Sequence, residues 1–90
     1  ASFDATKVKF PIKIRKTAKG DWFVPFGMNG KKLISDYLTD RKVSLFDKQR
    51  QLVITDADGN IIWIVGERPD NRFKIESGSA KALVIELVKN

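Results

Sequence analysis

Lys31 and Lys32, which follow Gly27-Met28-Asn29-Gly30, are the nearest this chain comes to a phosphate-handling motif. The glycine spacing differs from a Walker loop and no hydroxyl follows the lysines, so the segment reads as a turn feeding a helix rather than a nucleotide cradle. Unpaired N–H groups and the macrodipole at such a helix start favour an anion, which makes Lys31 and Lys32 the first candidates to meet a nucleic-acid phosphate. The bland alternative is two solvated lysines.

Other chemistry is scarce. Histidine and cysteine are both absent, which removes the imidazole and thiolate ligands, the commonest general base and the usual triads. Asp56 and Asp58 flank Ala57 in a segment far shorter than the roughly 12 residues of a calcium loop, and ordinary turn propensity accounts for both. Asp36, Asp40 and Asp47 lie among basic residues and are expected to form surface ion pairs. Trp22, Phe23, Phe26, Tyr37, Phe46, Trp63 and Phe73 could stack nucleobases, but each sits in an apolar run or helical stripe and is expected to pack in the core. No catalytic residue and no metal site is expected.

Charge is unevenly distributed along the 90 residues. Positions 1–50 hold twelve Lys and Arg against five Asp and Glu, whereas positions 51–90 hold five against six. A basic first half either steers and retains a polyanion or merely keeps the surface soluble. The longest apolar run, Ile61-Ile62-Trp63-Ile64-Val65, is far short of the roughly 20 residues that span a bilayer, so no membrane partner is expected. The lack of cysteine fits a reducing cytoplasm.

The elements that must position these groups follow from periodicity. Residues 7–15 alternate Val8, Phe10, Ile12 and Ile14 against Lys7, Lys9, Lys13 and Arg15, which predicts a half-buried strand, at an edge or bulged because Pro11 has no N–H. Edge lysines also guard against aggregation, so Lys7, Lys9 and Lys13 serve either role. A short strand over 22–25 follows, ending at Pro25. Leu33, Ile34, Tyr37 and Leu38 form a helical stripe over 31–40, started by Asn29 or Gly30 and closed by Asp40-Arg41-Lys42. Ser44-Leu45-Phe46-Asp47 opens a second helix from Leu45 to about Arg50. Runs 52–55 and 60–65 around Asp56-Ala57-Asp58-Gly59 predict an antiparallel hairpin. Further strands are expected over 72–76 and, buried on both faces and therefore central, over 81–89. The sum is one mainly β domain over 1–90, with residues 1–5 loose and the helices inserted after the second strand.

Two blocks carry a resemblance: Gly20-Asp21-Trp22-Phe23-Val24-Pro25-Phe26-Gly27-Met28, then Gly30-Lys31-Lys32-Leu33-Ile34-Ser35-Asp36-Tyr37-Leu38. In this order they resemble the C-terminal domain of bacterial tRNA(Ile)-lysidine synthetase, and the remaining segments stay in register. The resemblance implies a small β-sandwich or barrel-like module of unusual topology, related to a domain of the phenylalanyl-tRNA synthetase β subunit. It also implies a parent enzyme of the PP-loop ATPase type that uses ATP and Mg to attach lysine to the wobble cytidine of tRNA(Ile). No S-G-G-x-D-S loop occurs in this chain, so no cofactor is expected within it, and catalysis would belong to an N-terminal catalytic domain.

What the resemblance implies for this region is a grip on the acceptor-stem side of the tRNA, within a parent that could be a homodimer. The residues expected to meet phosphates are Lys31, Lys32, Arg41, Lys42, Lys48 and Arg50, flanked by Arg15 and Lys16. Residues 44–50 depart from the common family pattern, where many relatives carry a proline and an Arg-Asp-Arg triplet, so individual contacts do not transfer through that stretch. The competing reading is a structural or oligomerisation module that packs on the catalytic domain without touching tRNA.

Overall fold

A computed structural model describes residues 1–88. Its element order is β1 (Ser2–Asp4), a 3-10 turn (Ala5–Lys7), β2 (Lys13–Lys16), β3 (Trp22–Phe23), β4 (Lys32–Leu33), α1 (Ile34–Asp40), α2 (Leu45–Arg50), β5 (Leu52–Thr55), β6 (Ile61–Ile64), a second 3-10 turn (Asn71–Phe73) and β7 (Ala82–Val84). The fold is mainly β with two short helices, in three small sheets ordered β2-β5-β6, β1-β7 and β3-β4.

The β5–β6 hairpin is the centre of the molecule. Asp56 closes its turn as an Asx cap, accepting from the Asp58 and Asn60 backbone amides at 3.0 and 2.9 Å. All four β6 residues are buried, because each face of the hairpin meets a different core. Phe23, Ile34, Tyr37, Leu38, Val53 and Ile64 gather on the α1 side, while Phe3, Ile54, Ile62, Trp63 and Phe73 gather on the other. Pairing shifts by one residue between Ile54 and Thr55, whose partners are Trp63 and Ile61. The extra residue, Ile62, is a β-bulge, and it lets the neighbours Ile62 and Trp63 share one core despite the two-residue period of a strand.

Several expectations are corrected. Residues 1–5 are not loose: β1 pairs antiparallel with β7, Phe3 is fully buried, and Asp4 caps the following 3-10 turn by accepting from Thr6 N at 3.0 Å. That turn also breaks the expected strand over 7–15, of which only Lys13–Arg15 is extended and paired, in a β2 that runs on to Lys16. Val8 enters the core, whereas Phe10 and Ile14 are more than half exposed, so perfect alternation here does not mark one buried face. β2 does lie at a sheet edge.

The expected strand over 72–76 is replaced by the second 3-10 turn, because the buried Asp70 carboxylate takes the Arg72 amide at 2.7 Å and curls the chain. The expected central strand over 81–89 is only Ala82–Val84, at the margin of a two-stranded sheet with Ala82 and Val84 exposed, and Lys89 lies outside the described residues. The expected strand over 22–25 stops at Phe23, beyond which Pro25 makes a single bridge to Asp70. Because β1 and β4 exist, the helices follow the fourth strand rather than the second.

Candidate nucleic-acid interface

The helical insert begins later than its apolar stripe suggests. Lys32 and Leu33 pair with Phe23 and Trp22, and this ladder holds them extended until Ile34, whose amide donates to Asp21 O at 2.9 Å. Leu33 takes the cap position without a side-chain hydrogen bond. Neither Asn29 nor Gly30 caps α1; Lys32 stands on β4 and Lys31 immediately before it, so neither lies in a first helical turn. The expected anion site at a helix start is therefore not formed as drawn.

The exit of α1 is a complete Schellman motif. Lys42 N donates to Thr39 O at 2.9 Å and Val43 N to Leu38 O at 3.0 Å, with Val43 packed on the core. This bend puts Lys42 at φ 60, a left-handed position occupied here by a non-glycine residue. α2 starts as its sequence suggests, with Ser44 Oγ accepting from Asp47 N at 3.1 Å. None of its residues is buried, and Leu45 and Phe46 are 72% and 65% exposed.

The eight expected cations divide by partner. Three meet carboxylates: Arg15 forks onto Asp21 with contacts of 2.8 and 3.0 Å, Lys32 pairs with Asp40, and Arg41 Nε donates to Glu67 at 3.0 Å. The remaining five, Lys16, Lys31, Lys42, Lys48 and Arg50, have no carboxylate partner among the described residues. Lys31 lies over the Trp22 ring at 4.2 Å, Arg50 over Phe46 at 5.2 Å, and Lys48 donates to Thr39 Oγ1. Of the acids expected in surface pairs, Asp40 forms one, while Asp36 and Asp47 form none among the described residues.

These contacts bring part of the set together around α1. Lys31 and Lys32 line an open cleft of about 540 Å³ whose far wall is Asp36, Thr39 and Asp40 on α1, and Lys48 reaches that wall through Thr39. Lys32 also borders a smaller recess with Arg41 and Arg68. Lys16 stands opposite Leu52 in the β2–β5 ladder, and Arg50 borders a depression with Leu52 and Val65, so these two belong to the hairpin side. Arg15 faces the loop before β3.

The titrating groups at this surface are set by the same contacts. Burial pushes the Asp21 carboxyl up, but the Arg15 guanidinium and the Ala18 amide outweigh it and hold the group below the usual carboxylate range. The hydrogen bond to Asp21 in turn raises Arg15. Burial raises the Tyr37 hydroxyl, which donates to Glu67 at 3.2 Å beside Arg41.

Aromatic packing was legible for Phe23, Tyr37, Trp63 and Phe73, which are buried, but Phe26 and Phe46 are more than half exposed. Three residues near the cations escaped sequence reasoning. Glu67 neutralises Arg41, Arg68 joins Lys32 and Arg41, and Arg72 lies over Trp22 at 4.5 Å. Only a tertiary contact reveals them, since each sits in a segment read as loop or strand.

Residues 12–87 match the family described as the TilS substrate C-terminal domain. The chain belongs to this family. Its relatives include tRNA(Ile)-lysidine synthases of Bacteroides thetaiotaomicron, 49% identical over 98% of the chain, and of Parabacteroides distasonis, 42% identical over the same share. The chain spans about one fifth of the length of each. The crystal structure of a TilS C-terminal domain superposes with a TM-score of 0.79 at 26% identity, covering 90% of this chain and 62% of that one. An N-terminal fragment of the phenylalanyl-tRNA synthetase β subunit from Pyrococcus horikoshii shares the fold, with a TM-score of 0.75 at 22% identity over 91% of this chain and 25% of that one. No helix among the described residues is long and apolar enough to cross a membrane.

Proposed function

We propose that this TilS C-terminal domain is a tRNA-binding accessory module of a tRNA(Ile)-lysidine synthase. Lys31, Lys32, Arg41, Lys42, Lys48 and Arg50 would meet phosphates, with Arg15 and Lys16 flanking. The observation that carries the reading is the α1 cleft, where Lys31 on the rim and Lys48, which reaches Thr39, have no carboxylate partner among the described residues and, with Lys32, outnumber Asp36 and Asp40 by one charge. Surplus cations on a partly concave surface attract a polyanion and release its counterions on contact. Phosphate contacts position a partner rather than specify it, which suits an accessory role.

On this reading the chain holds the acceptor-stem side of tRNA(Ile) while a catalytic domain elsewhere in a longer protein handles ATP, Mg²⁺, lysine and the wobble cytidine. Paired cations contribute less, because Arg15, Lys32 and Arg41 must first give up Asp21, Asp40 and Glu67. The five unpartnered cations dominate, so the salt slope of tRNA binding should lie nearer −4 than −7, at about 0.7 to 0.9 per released counterion.

The test is a tRNA titration of the chain at several salt concentrations, with Lys31→Glu/Lys48→Glu as the comparison. The expected result is weak binding that falls steeply with salt and is lost in the charge-reversed double variant. Undetectable binding by the wild-type chain at low salt, or salt-independent binding, refutes the reading.

A further inference from the structure

Trp22 is a half-buried indole shared by two cations. Lys31 Nζ lies 4.2 Å and the Arg72 guanidinium 4.5 Å from its ring centre. A single ring quadrupole attracts each cation but leaves their mutual repulsion in place. Of the two, only Arg72 pairs with a carboxylate among the described residues. Its Nε and Nη2 donate to the fully buried Asp70 at 3.0 and 2.9 Å, and Asp70 also accepts the Val24 amide at 2.9 Å. The guanidinium is thereby fixed in orientation, with Nη1 left for another acceptor.

Arg72 and Trp22 open onto a cleft of about 240 Å³ whose rim carries Lys19, Asn60 and the backbone of Gly20 and Gly59. Lys19 has no carboxylate partner among the described residues. The acid on the cleft wall, Asp21, is occupied: its two oxygens take Arg15 at 2.8 and 3.0 Å and the Ala18 amide at 2.7 Å. Nearby Asp58 is paired with Lys9 at 3.0 Å. The local balance is therefore two uncompensated ammonium groups around a pre-oriented guanidinium and an aromatic ring.

We infer that Lys19, Arg72, Lys31 and Trp22 form a second RNA subsite, which takes one phosphodiester of the backbone against Arg72 and Lys19 and brings the adjoining nucleotide to Trp22. The inference rests on the tRNA-binding reading and extends it to Lys19, Trp22 and Arg72, which lie outside the α1 set. A fixed Arg fork matches phosphate oxygens better than a mobile ammonium does. Lys31, on a flexible stem, leaves the ring when its charge finds the phosphate, and exposes an indole surface on which a base can stack.

The test combines fluorescence with salt-dependent binding of tRNA to this chain. Binding should quench the half-buried Trp22, and the quench should vanish in Trp22→Phe, where only the buried Trp63 emits. Lys19→Ala removes an exposed side chain that has no ion pair, so the variant folds. It should weaken tRNA about threefold to tenfold and lower the magnitude of the salt slope by about one. Arg72→Lys, with folding checked by circular dichroism, should weaken tRNA at least as much, because an ammonium keeps the charge but loses the fork. A quench that persists in Trp22→Phe overturns the subsite. So does wild-type affinity in both Lys19→Ala and folded Arg72→Lys when Lys48→Ala weakens binding, and that pattern leaves the α1 reading intact. Undetectable binding by the wild-type chain overturns both.

Discussion

Asp70→Asn is the sharpest test of how the cation-bearing surface is held. Asp70 is fully buried and accepts four hydrogen bonds: from Val24 N at 2.9 Å, Arg72 N at 2.7 Å, Arg72 Nε at 3.0 Å and Arg72 Nη2 at 2.9 Å. An amide keeps one acceptor oxygen and turns an NH₂ towards donors, so the Val24 amide or the guanidinium is left facing another donor. Orphaning a buried donor costs about 1–3 kcal/mol, and breaking a buried ion pair on one side costs about 3–5 kcal/mol.

Arg72 is one-third exposed and can rehydrate, which argues for the lower end, about 3 kcal/mol. For a 90-residue chain with a total stability of about 5–13 kcal/mol this is a large fraction. In urea unfolding followed by far-UV circular dichroism, a slope of about 1.5 kcal/mol per molar places the midpoint about 2 M lower. Arg72→Met should cost less in the Asp70→Asn background than in the wild type, with a coupling of about 1–3 kcal/mol. A midpoint shift under about 0.3 M, or additive single effects, refutes the view that this buried carboxylate pins the segment.

Phe3→Ala should destabilise by about 3–4 kcal/mol in the same assay, since its fully buried ring joins β1 to the second core, and a small effect would mean the first residues are dispensable. Lys42→Gly should stabilise by about 0.5 kcal/mol, because relief of a left-handed non-glycine residue slightly exceeds the added chain entropy of glycine, and a loss of stability would refute this. Asp21→Asn should flatten the acid side of the stability curve. The folded pKa of Asp21 lies below its unfolded value near 3.8, so its contribution is complete above that value and is lost as pH falls through the folded pKa. A variant whose stability declines between pH 5 and 2 as steeply as the wild type's counts against that contribution.

Local signals made some elements readable and left others hidden. The hairpin, its turn and α2 were legible because Asp56 and Ser44 act within four residues of themselves. The start of α1 was not, because the Trp22–Leu33 and Phe23–Lys32 pairings hold two residues of an apparent helical stripe extended. The strand over 7–15 misled because its alternation is real in sequence while only Val8 is buried and Ile12 partly so. β1 was invisible, since three residues acquire their role only from the far end of the chain. Among the candidate cations, the sequence could show where charge is concentrated, but it could not show that Glu67, distant in number, meets Arg41, or that Asp70 aims Arg72 across Trp22.

The doubly buried hairpin makes the two halves of the molecule share a partition wall. Val53 and Ile54 are adjacent in the chain yet belong to opposite compartments, so loosening either one slackens the wall for both. The helical face that carries the cations and the opposite face that joins the chain's two extremities should therefore melt together, and lesions placed on opposite sides of the wall should interact rather than simply add.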